Sequence, residues 1–158
     1  GARPGIGLYG CEPPTDEDTK IGLMPSLALK SHLAAVHKVE MGGRVSYGPT
    51  WTAGSEATVG VLPIGYADGY RRALSNKASV LYRGKRCPQI GTICMDYLMI
   101  DITEAEDGIS AKLGEEVVLI GEQGDEVITP QTMADWAGTI PYEILTGIGE
   151  RVPRVYIR

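Results

Sequence analysis

The sequence predicts a mainly β protein: an antiparallel, Greek-key-like barrel or sandwich with one or two short helices near the C-terminus. Two observations indicate this fold class. Residues 27–41 alternate between apolar and polar side chains, and several further short apolar runs are separated by glycine-rich or charged turns. Helical signals are few and lie late in the chain, so we expect the sheet to dominate.

The alternating segment is the first predicted strand. One parity of residues 27–41 carries Leu27, Leu29, Leu33, Ala35, Val39 and Met41. The other parity carries mainly charged or polar side chains, which is typical of a long, half-buried strand. The other strand candidates are Ala57–Ile64, Ala78–Tyr82, Thr92–Ile102, Glu116–Ile120 and Val155–Ile157.

Two helices are expected after residue 128. Thr129 is a suitable N-cap and Pro130 a suitable first helical residue, and Gly138 can end that helix. A second short helix follows Thr139, with Pro141 in its first turn. Residues 10–20 are polar and rich in proline, which predicts a loop.

Composition excludes several classes of function. The 158 residues carry a net charge of -5 without a basic stripe, so we expect no nucleic-acid partner. No apolar run is long enough to cross a bilayer. Three cysteines without a CxxC pair favour a reduced, cytoplasmic interior over a disulfide framework. His32 and His37 would point to opposite faces of one strand, so we expect no metal site.

The segment Gly5-Ile6-Gly7-Leu8-Tyr9-Gly10 matches the glycine pattern of dinucleotide-binding proteins. That pattern has to follow a strand and open a helix, whereas here a proline-bearing loop follows, so we reject dinucleotide binding. Closely spaced glycines can still bring backbone N–H groups near a phosphate. A tight turn at the start of the domain is the simpler alternative.

Four motifs occur together in one order. They are Arg3-Pro-Gly-Ile, Gly65-Tyr66-Ala-Asp-Gly, Cys94-Met95-Asp96 and Ile140-Pro-Tyr142-Glu. Each is weak alone, but the ordered set resembles the C-terminal domain of alanine racemases, which are pyridoxal 5′-phosphate (PLP) enzymes. The resemblance covers Arg3 to Arg158 and implies one β-domain over residues 1–158, with 1–20 as a lead-in from an N-terminal barrel.

The resemblance also implies roles for individual residues. Arg3 would face the pyridine nitrogen of PLP, and an arginine keeps its proton, which weakens the cofactor as an electron sink. Gly5, Ile6 and Tyr142 would bind the phosphate. Met95 would offer its backbone N–H to the substrate carboxylate. Tyr66 would be the catalytic tyrosine, opposite a lysine, and the cations Arg71 and Arg72 lie close to it in sequence.

Three further positions follow from the same resemblance. Thr92 stands where many relatives have an arginine in the entrance corridor, and Ile140 matches a wall of that corridor. Tyr47, in Val45-Ser46-Tyr47-Gly48, is also typical of the family, and we assign it a packing role without chemistry.

The lysine that holds PLP belongs to the family's N-terminal barrel, and no lysine of this chain lies in a matching context. The resemblance therefore implies a homodimer in which Tyr66 and Met95 serve the partner's cofactor, with an amino acid as substrate. We expect this chain alone to be inactive, and the full protein to supply D-alanine for peptidoglycan of the cell wall. Two alternatives are a non-catalytic dimerisation or interaction module, and the racemase half of a membrane-linked serine racemase.

Overall fold

A computed structural model describes residues 1–12 and 22–157. Its strands are β1 (Leu29–His32), β2 (Ala35–Val39), β3 (Ala57–Leu62), β4 (Ser79–Tyr82), β5 (Lys85–Ile90), β6 (Leu98–Asp101), β7 (Glu116–Gln123) and β8 (Glu126–Ile128). The helices are α1 (Pro130–Ala137) and α2 (Pro141–Gly147). Short 3-10 turns cover Gly5–Tyr9, Tyr66–Asp68, Arg72–Leu74 and Thr103–Ala105. The predicted fold class is confirmed.

The strands form one antiparallel sheet in the order β1-β7-β4-β5-β6-β3-β2, and β8 pairs with β7. The first and last strands of this order are consecutive in the chain, separated by Leu33 and Ala34. The Leu33 N–H donates to the Glu115 carbonyl at 3.0 Å, and the Ala34 N–H donates to the Val61 carbonyl at 2.8 Å. The sheet therefore curls so that the two ends of its strand order adjoin one short bend, although β1 and β2 do not pair with each other in the described part of the chain.

This bend corrects the prediction of one long strand over 27–41. The chain leaves the β7 edge and joins the β3 edge, so the alternation ends at Leu33, whose side chain is fully buried. The two histidines consequently lie in different strands, His32 in β1 and His37 in β2. In the two described ranges, no group of three or more His, Cys, Asp or Glu side chains could hold a metal ion.

Other predicted strands are shorter or absent. The strand expected at Thr92–Ile102 begins only at Leu98, because the preceding residues form a turn in which the Cys94 N–H donates to the Tyr97 carbonyl at 2.9 Å. Val155–Ile157 forms no strand and is exposed. The prediction of a loop over 10–20 can be checked only for Gly10–Glu12, which are not in a strand, and 13–20 lie outside the described residues.

The helix predictions are confirmed at their ends. The Thr129 hydroxyl accepts the Thr132 N–H at 3.0 Å, Pro130 is the first helical residue, and Gly138 adopts a left-handed conformation with φ of 69°. These are the capping groups that the local sequence predicts. Ile144 of α2 is buried and belongs to the core, which fills the interior of the curled sheet.

Candidate functional site

The central feature of the candidate site is a rim where two turns are joined through their backbones. The Tyr66 N–H donates to the Cys94 carbonyl and the Ala67 N–H donates to the Met95 carbonyl, both at 3.0 Å. Gly65 makes this approach possible, because a Cβ atom there would lie 2.3 Å from the Cys94 carbonyl oxygen. The sequence-predicted residues Tyr66 and Met95 are therefore neighbours.

Both side chains of the rim face outward. Tyr66 is 43% exposed and Met95 is 52% exposed, whereas Tyr70, four residues after Tyr66, is fully buried. Burial raises the pKa of the Tyr70 phenol, and its hydroxyl has no hydrogen-bond partner among the described residues. Tyr70 is thus a core residue, whereas Tyr66 reaches the surface.

An open pocket of roughly 450 Å³ lies beside the Met95 turn. Its lining residues are Ser46, Tyr47, Val61, Cys94, Tyr97 and Met99. Cys94 and Tyr97 bracket Met95 in the chain, so the pocket opens beside the backbone group that would contact a substrate carboxylate. Its lining is mainly apolar, with phenol and hydroxyl groups as the polar exceptions.

Tyr47 is the residue of this pocket to which the sequence motifs assigned no chemistry. It is 76% exposed, and it follows Ser46, a non-glycine residue with φ of 65°. The Ser46 hydroxyl donates a hydrogen bond to the Thr92 carbonyl, which fixes this strained turn against the Met95 loop. The sequence signal for a functional role was a tyrosine in a loop between Ser46 and Gly48, because binding and catalytic residues lie disproportionately on loops.

Arg71, which lies close to Tyr66 in sequence, is bonded to α2. The Arg71 guanidinium donates to the Glu143 carboxylate at 2.8 Å and to the Glu143 carbonyl at 2.9 Å. These bonds tie the Tyr66 segment to α2. A hydrogen bond from Thr139, followed by the charge of Arg71, lowers the pKa of Glu143.

Tyr142 directly precedes Glu143 and lies in the first turn of α2. Tyr142 is 45% exposed, and Ile140, which the resemblance places in an entrance corridor, is exposed as well. Thr92, by contrast, is only 7% exposed, and its hydroxyl lies 3.4 Å from the Thr50 hydroxyl. In this chain the threonine packs inside the domain.

The N-terminal turn carries the remaining predicted residues. Arg3 and Gly5 are exposed, while Ile6 is buried. The first hydrogen bond of the turn runs from the Gly7 N–H to the Pro4 carbonyl at 3.0 Å, so the N–H groups of Gly5 and Ile6 precede the bonded part of the turn. Gly5 has φ of 53°, and a Cβ atom added there would have no neighbouring atom within 4 Å among the described residues. Two backbone donors, a guanidinium and the Tyr142 phenol are chemically suited to a phosphate ester and a pyridine nitrogen.

The N-terminal turn packs on the segment that leads into β1. The Ser26 hydroxyl donates to the Leu8 carbonyl at 2.6 Å, and a Cβ atom on Gly10 would lie 2.2 Å from the Met24 carbonyl oxygen. The structure thus brings Tyr66, Met95 and Tyr47 to one rim, and holds Arg3, Gly5 and Ile6 in a separate turn.

No helix among the described residues is long and apolar enough to span a membrane.

Comparison with known proteins gives the same picture. A family model described as the alanine racemase C-terminal domain matches residues 26–156. Alanine racemases from Thermodesulfovibrio yellowstonii and Carboxydothermus hydrogenoformans are 45% and 48% identical over 155 and 156 residues. Each match covers 98% of this chain, but only 40% and 42% of the respective relative.

Solved structures agree with this result. An alanine racemase from Bacillus anthracis, crystallised with bound L-Ala-P, superposes with a TM-score of 0.88 at 39% identity, over 98% of this chain and 39% of that one. An alanine racemase from Bartonella henselae with covalently bound pyridoxal phosphate gives a TM-score of 0.86 at 32% identity, over 97% and 40%.

The curled sheet, with its exposed tyrosine and methionine rim, therefore has the fold of the C-terminal domain of the racemases that it matches. The chain belongs to the alanine racemase C-terminal domain family. It spans about two fifths of the length of the curated relatives that it matches.

Proposed function

We propose that this chain is the C-terminal part of an alanine racemase that interconverts L- and D-alanine with two acid–base groups. The observation that carries the proposal is the rim, where exposed phenols lie beside the backbone of Met95. A domain used only for dimerisation has no need to expose tyrosines around an open pocket. The similarity to alanine racemases along nearly the whole chain supports the same substrate.

The cofactor contacts are proposed on the residues that fit them. PLP, when bound, supplies the electron sink that makes the α-proton of an amino acid acidic. Arg3 would donate a hydrogen bond to the pyridine nitrogen, and its guanidinium would keep that nitrogen free of a proton. The N–H groups of Gly5 and Ile6 and the Tyr142 hydroxyl would bind the phosphate.

Substrate binding is assigned to the Met95 backbone. A backbone N–H binds one carboxylate oxygen without requiring a particular side chain. The junction with the Tyr66 turn holds the Met95 peptide in place, since its carbonyl accepts the Ala67 N–H. The Met95 N–H, which lies on the opposite side of the residue from this carbonyl, would then face the substrate.

Two phenols compete for the acid–base role on this side of the substrate. Tyr66 is the candidate from the sequence motifs. Tyr47 is favoured by the structure, because it lines the pocket beside Met95, is the more exposed phenol and follows a strained residue that is bonded to the same loop. We therefore propose Tyr47 as the group that gives or takes the α-proton, and Tyr66 as the alternative.

The complete enzyme would need more than this chain. The lysine opposite the phenol would come from the N-terminal barrel, which the matched relatives have room for in the remaining three fifths of their length. We propose a homodimer in which the rim serves the partner's cofactor and the N-terminal turn serves its own. The enzyme would act in the cytoplasm, and its product, D-alanine, would be used in cell-wall synthesis. In the alternative, the full-length protein is a membrane-linked serine racemase, and serine would be the substrate.

A fusion protein tests this function directly. This chain would replace the matching segment of the Geobacter sulfurreducens alanine racemase, which is 46% identical over 156 residues. The fusion should bind PLP and racemise alanine. Tyr47→Phe should lower the rate by about 10²–10⁴-fold in both directions, because each direction uses both groups. Exchange of the α-proton with solvent should persist for the enantiomer that the lysine serves.

The controls separate the alternatives. Tyr156→Phe, at the exposed C-terminal segment, should leave the rate unchanged. If Tyr66→Phe abolishes racemisation while Tyr47→Phe does not, the acid–base role belongs to Tyr66. A fusion that binds PLP and racemises serine but not alanine would contradict the proposed substrate, and one that only dimerises would support the interaction module.

A further inference from the structure

The rim contains a charged cluster that the proposed function does not use. Asp68 follows Tyr66 by two residues, and Asp96 follows Met95 directly. Each turn therefore presents one carboxylate. Arg151, in the segment after α2, lies between them: its Nε donates to the Asp68 Oδ1 at 2.7 Å, and a terminal guanidinium nitrogen donates to the Asp96 Oδ1 at 2.5 Å.

Asp68 is the inner member of this cluster. Its side chain is only 13% exposed, and its second oxygen accepts the Gly65 N–H at 2.8 Å. The same carboxylate thus fixes the residue before Tyr66 and the guanidinium. Arg151 and Asp96 are about half exposed, so screening by solvent limits the energy of that ion pair. The geometry, which joins three segments, matters more than the strength of either bond.

The backbone around Arg151 is itself attached to the Tyr66 turn. The Gly149 N–H donates to the Asp68 carbonyl at 2.8 Å, and the Val152 N–H donates to the Gly149 carbonyl at 3.2 Å. A Cβ atom on Gly69 would lie 2.2 Å from the Gly147 carbonyl oxygen, so the two segments are in close contact. The backbone segment that carries Arg151 is therefore held against the Tyr66 turn, and this places the guanidinium between the two carboxylates.

An arginine suits this place because its planar guanidinium has several donors in fixed directions, whereas a lysine ammonium acts as a single point charge. Removal of the cation would leave two carboxylates on adjoining turns without the charge between them. Among the described residues, the backbone hydrogen bonds from the Tyr66 and Ala67 N–H groups would then still join the turns.

We propose that Arg151 is a positioning residue that holds the Tyr66 and Met95 turns in one register, so that the Met95 N–H and the acid–base phenol address the same substrate. This inference rests on the proposed function for its catalytic consequence, but not for its structural part. Arg151 acts through Asp68 and Asp96 and touches no reacting group.

Hydrogen exchange in this chain tests the structural part without any activity. In Arg151→Gln, the N–H groups of Tyr66 and Ala67 should exchange at least about tenfold faster, because their acceptors lie on the released turn. Arg86→Gln is the matched control, since Arg86 is also a partly exposed arginine that bonds a carboxylate, Glu126, and the Val127 carbonyl. In that variant the two exchange rates should not change. Equal rates in Arg151→Gln and wild type would overturn the proposal.

Kinetics of the fusion protein test the catalytic part. Arg151→Gln should raise KM for alanine by about tenfold and lower kcat as well, because carboxylate binding and phenol placement are both disturbed. Arg151→Lys should recover only part of the loss, and Arg86→Gln should change neither constant. A wild-type fusion without racemase activity would contradict the proposed function. The exchange experiment would still show whether Arg151 holds the Tyr66 and Met95 turns in register. Parental KM and kcat in Arg151→Gln would contradict the positioning role.

Discussion

At the scale of single residues, the rim depends on the absence of a side chain at Gly65. The backbone there is extended, with φ of −148° and ψ of −161°, so any residue could adopt it. The requirement is space, because two carbonyl oxygens occupy the position where a Cβ atom would be. This glycine is needed for contact between turns and not for conformational freedom.

A substitution at Gly65 should therefore damage the site more than the chain as a whole. Gly65→Ala should cost about 1–3 kcal/mol of unfolding free energy, since the two turns must separate. It should also lower racemisation in the fusion protein. Urea unfolding and initial rates would measure both effects. Gly54→Ala is the matched control because no atom of the described residues lies within 4 Å of its Cβ position. Equal behaviour of the two variants would contradict the role of the junction.

The residue scale also shows what sequence motifs could supply. They located Tyr66 and Met95, which lie more than 25 residues apart in the chain and meet at one rim. They did not give chemistry to Tyr47, because its position beside Met95 depends on a hydrogen bond between Ser46 and Thr92. The orientation of the Arg71 side chain could not be predicted from the sequence either, since its acceptor Glu143 lies 72 residues later.

At the scale of elements, the turn between β4 and β5 is bonded to the start of β7. Tyr82 ends β4, and its hydroxyl donates a hydrogen bond to the Glu115 carboxylate. Arg83, in the turn, donates to both carboxylate oxygens of Glu115 at 2.9 and 3.0 Å and to the Ile109 carbonyl at 2.7 Å. Burial alone would raise the pKa of Glu115, but the bonds from Tyr82 and Arg83 lower it to about 2.

This network gives stability a defined dependence on pH. The pKa of Glu115 is lower in the folded chain than the ordinary value of 4.5, so its contribution is complete above pH 4.5 and is lost as the pH falls toward 2. Glu115→Gln should cost roughly 1–3 kcal/mol at pH 7. The difference from wild type should shrink between pH 4.5 and 2, as measured by urea unfolding. A difference that is constant over this range would contradict the assignment.

The strand predictions succeeded where local pattern and burial agree. β3 and β7 have apolar runs that fill the core, and α1 has its cap and its terminal glycine in sequence. β5 was not predicted, because Lys85, Arg86 and Pro88 do not resemble a central strand. Its position between β4 and β6 is set by pairing with the rest of the sheet, which a local pattern does not contain.

At the scale of the whole molecule, many large apolar side chains remain exposed. Those with more than 60% of their surface exposed are Leu8, Met24, Met41, Tyr47, Ile109, Leu113, Val155, Tyr156 and Ile157. Exposed apolar surface of this kind commonly marks contacts with other domains or chains. It is consistent with a domain that completes an active site together with a barrel and a second subunit.

This surface leads to a prediction about the chain in isolation. It should self-associate at micromolar concentration and bind an apolar dye, since the faces that would contact a barrel are open to solvent. Sedimentation velocity and dye fluorescence would measure this, with the fusion protein as the control that covers those faces. A monomer that binds no dye would contradict the proposal that the chain is built for assembly with a barrel.

The bend at Leu33 and Ala34 has a consequence for how the sheet can fail. Both ends of the strand order belong to one stretch of eleven residues, from Leu29 to Val39. If that stretch detaches, β7 and β3 each lose a neighbour at the same moment, and two rows of backbone groups become available to other molecules. A single local opening would thus expose the central strands β7 and β3 together, so resistance to aggregation depends on the attachment of this one stretch.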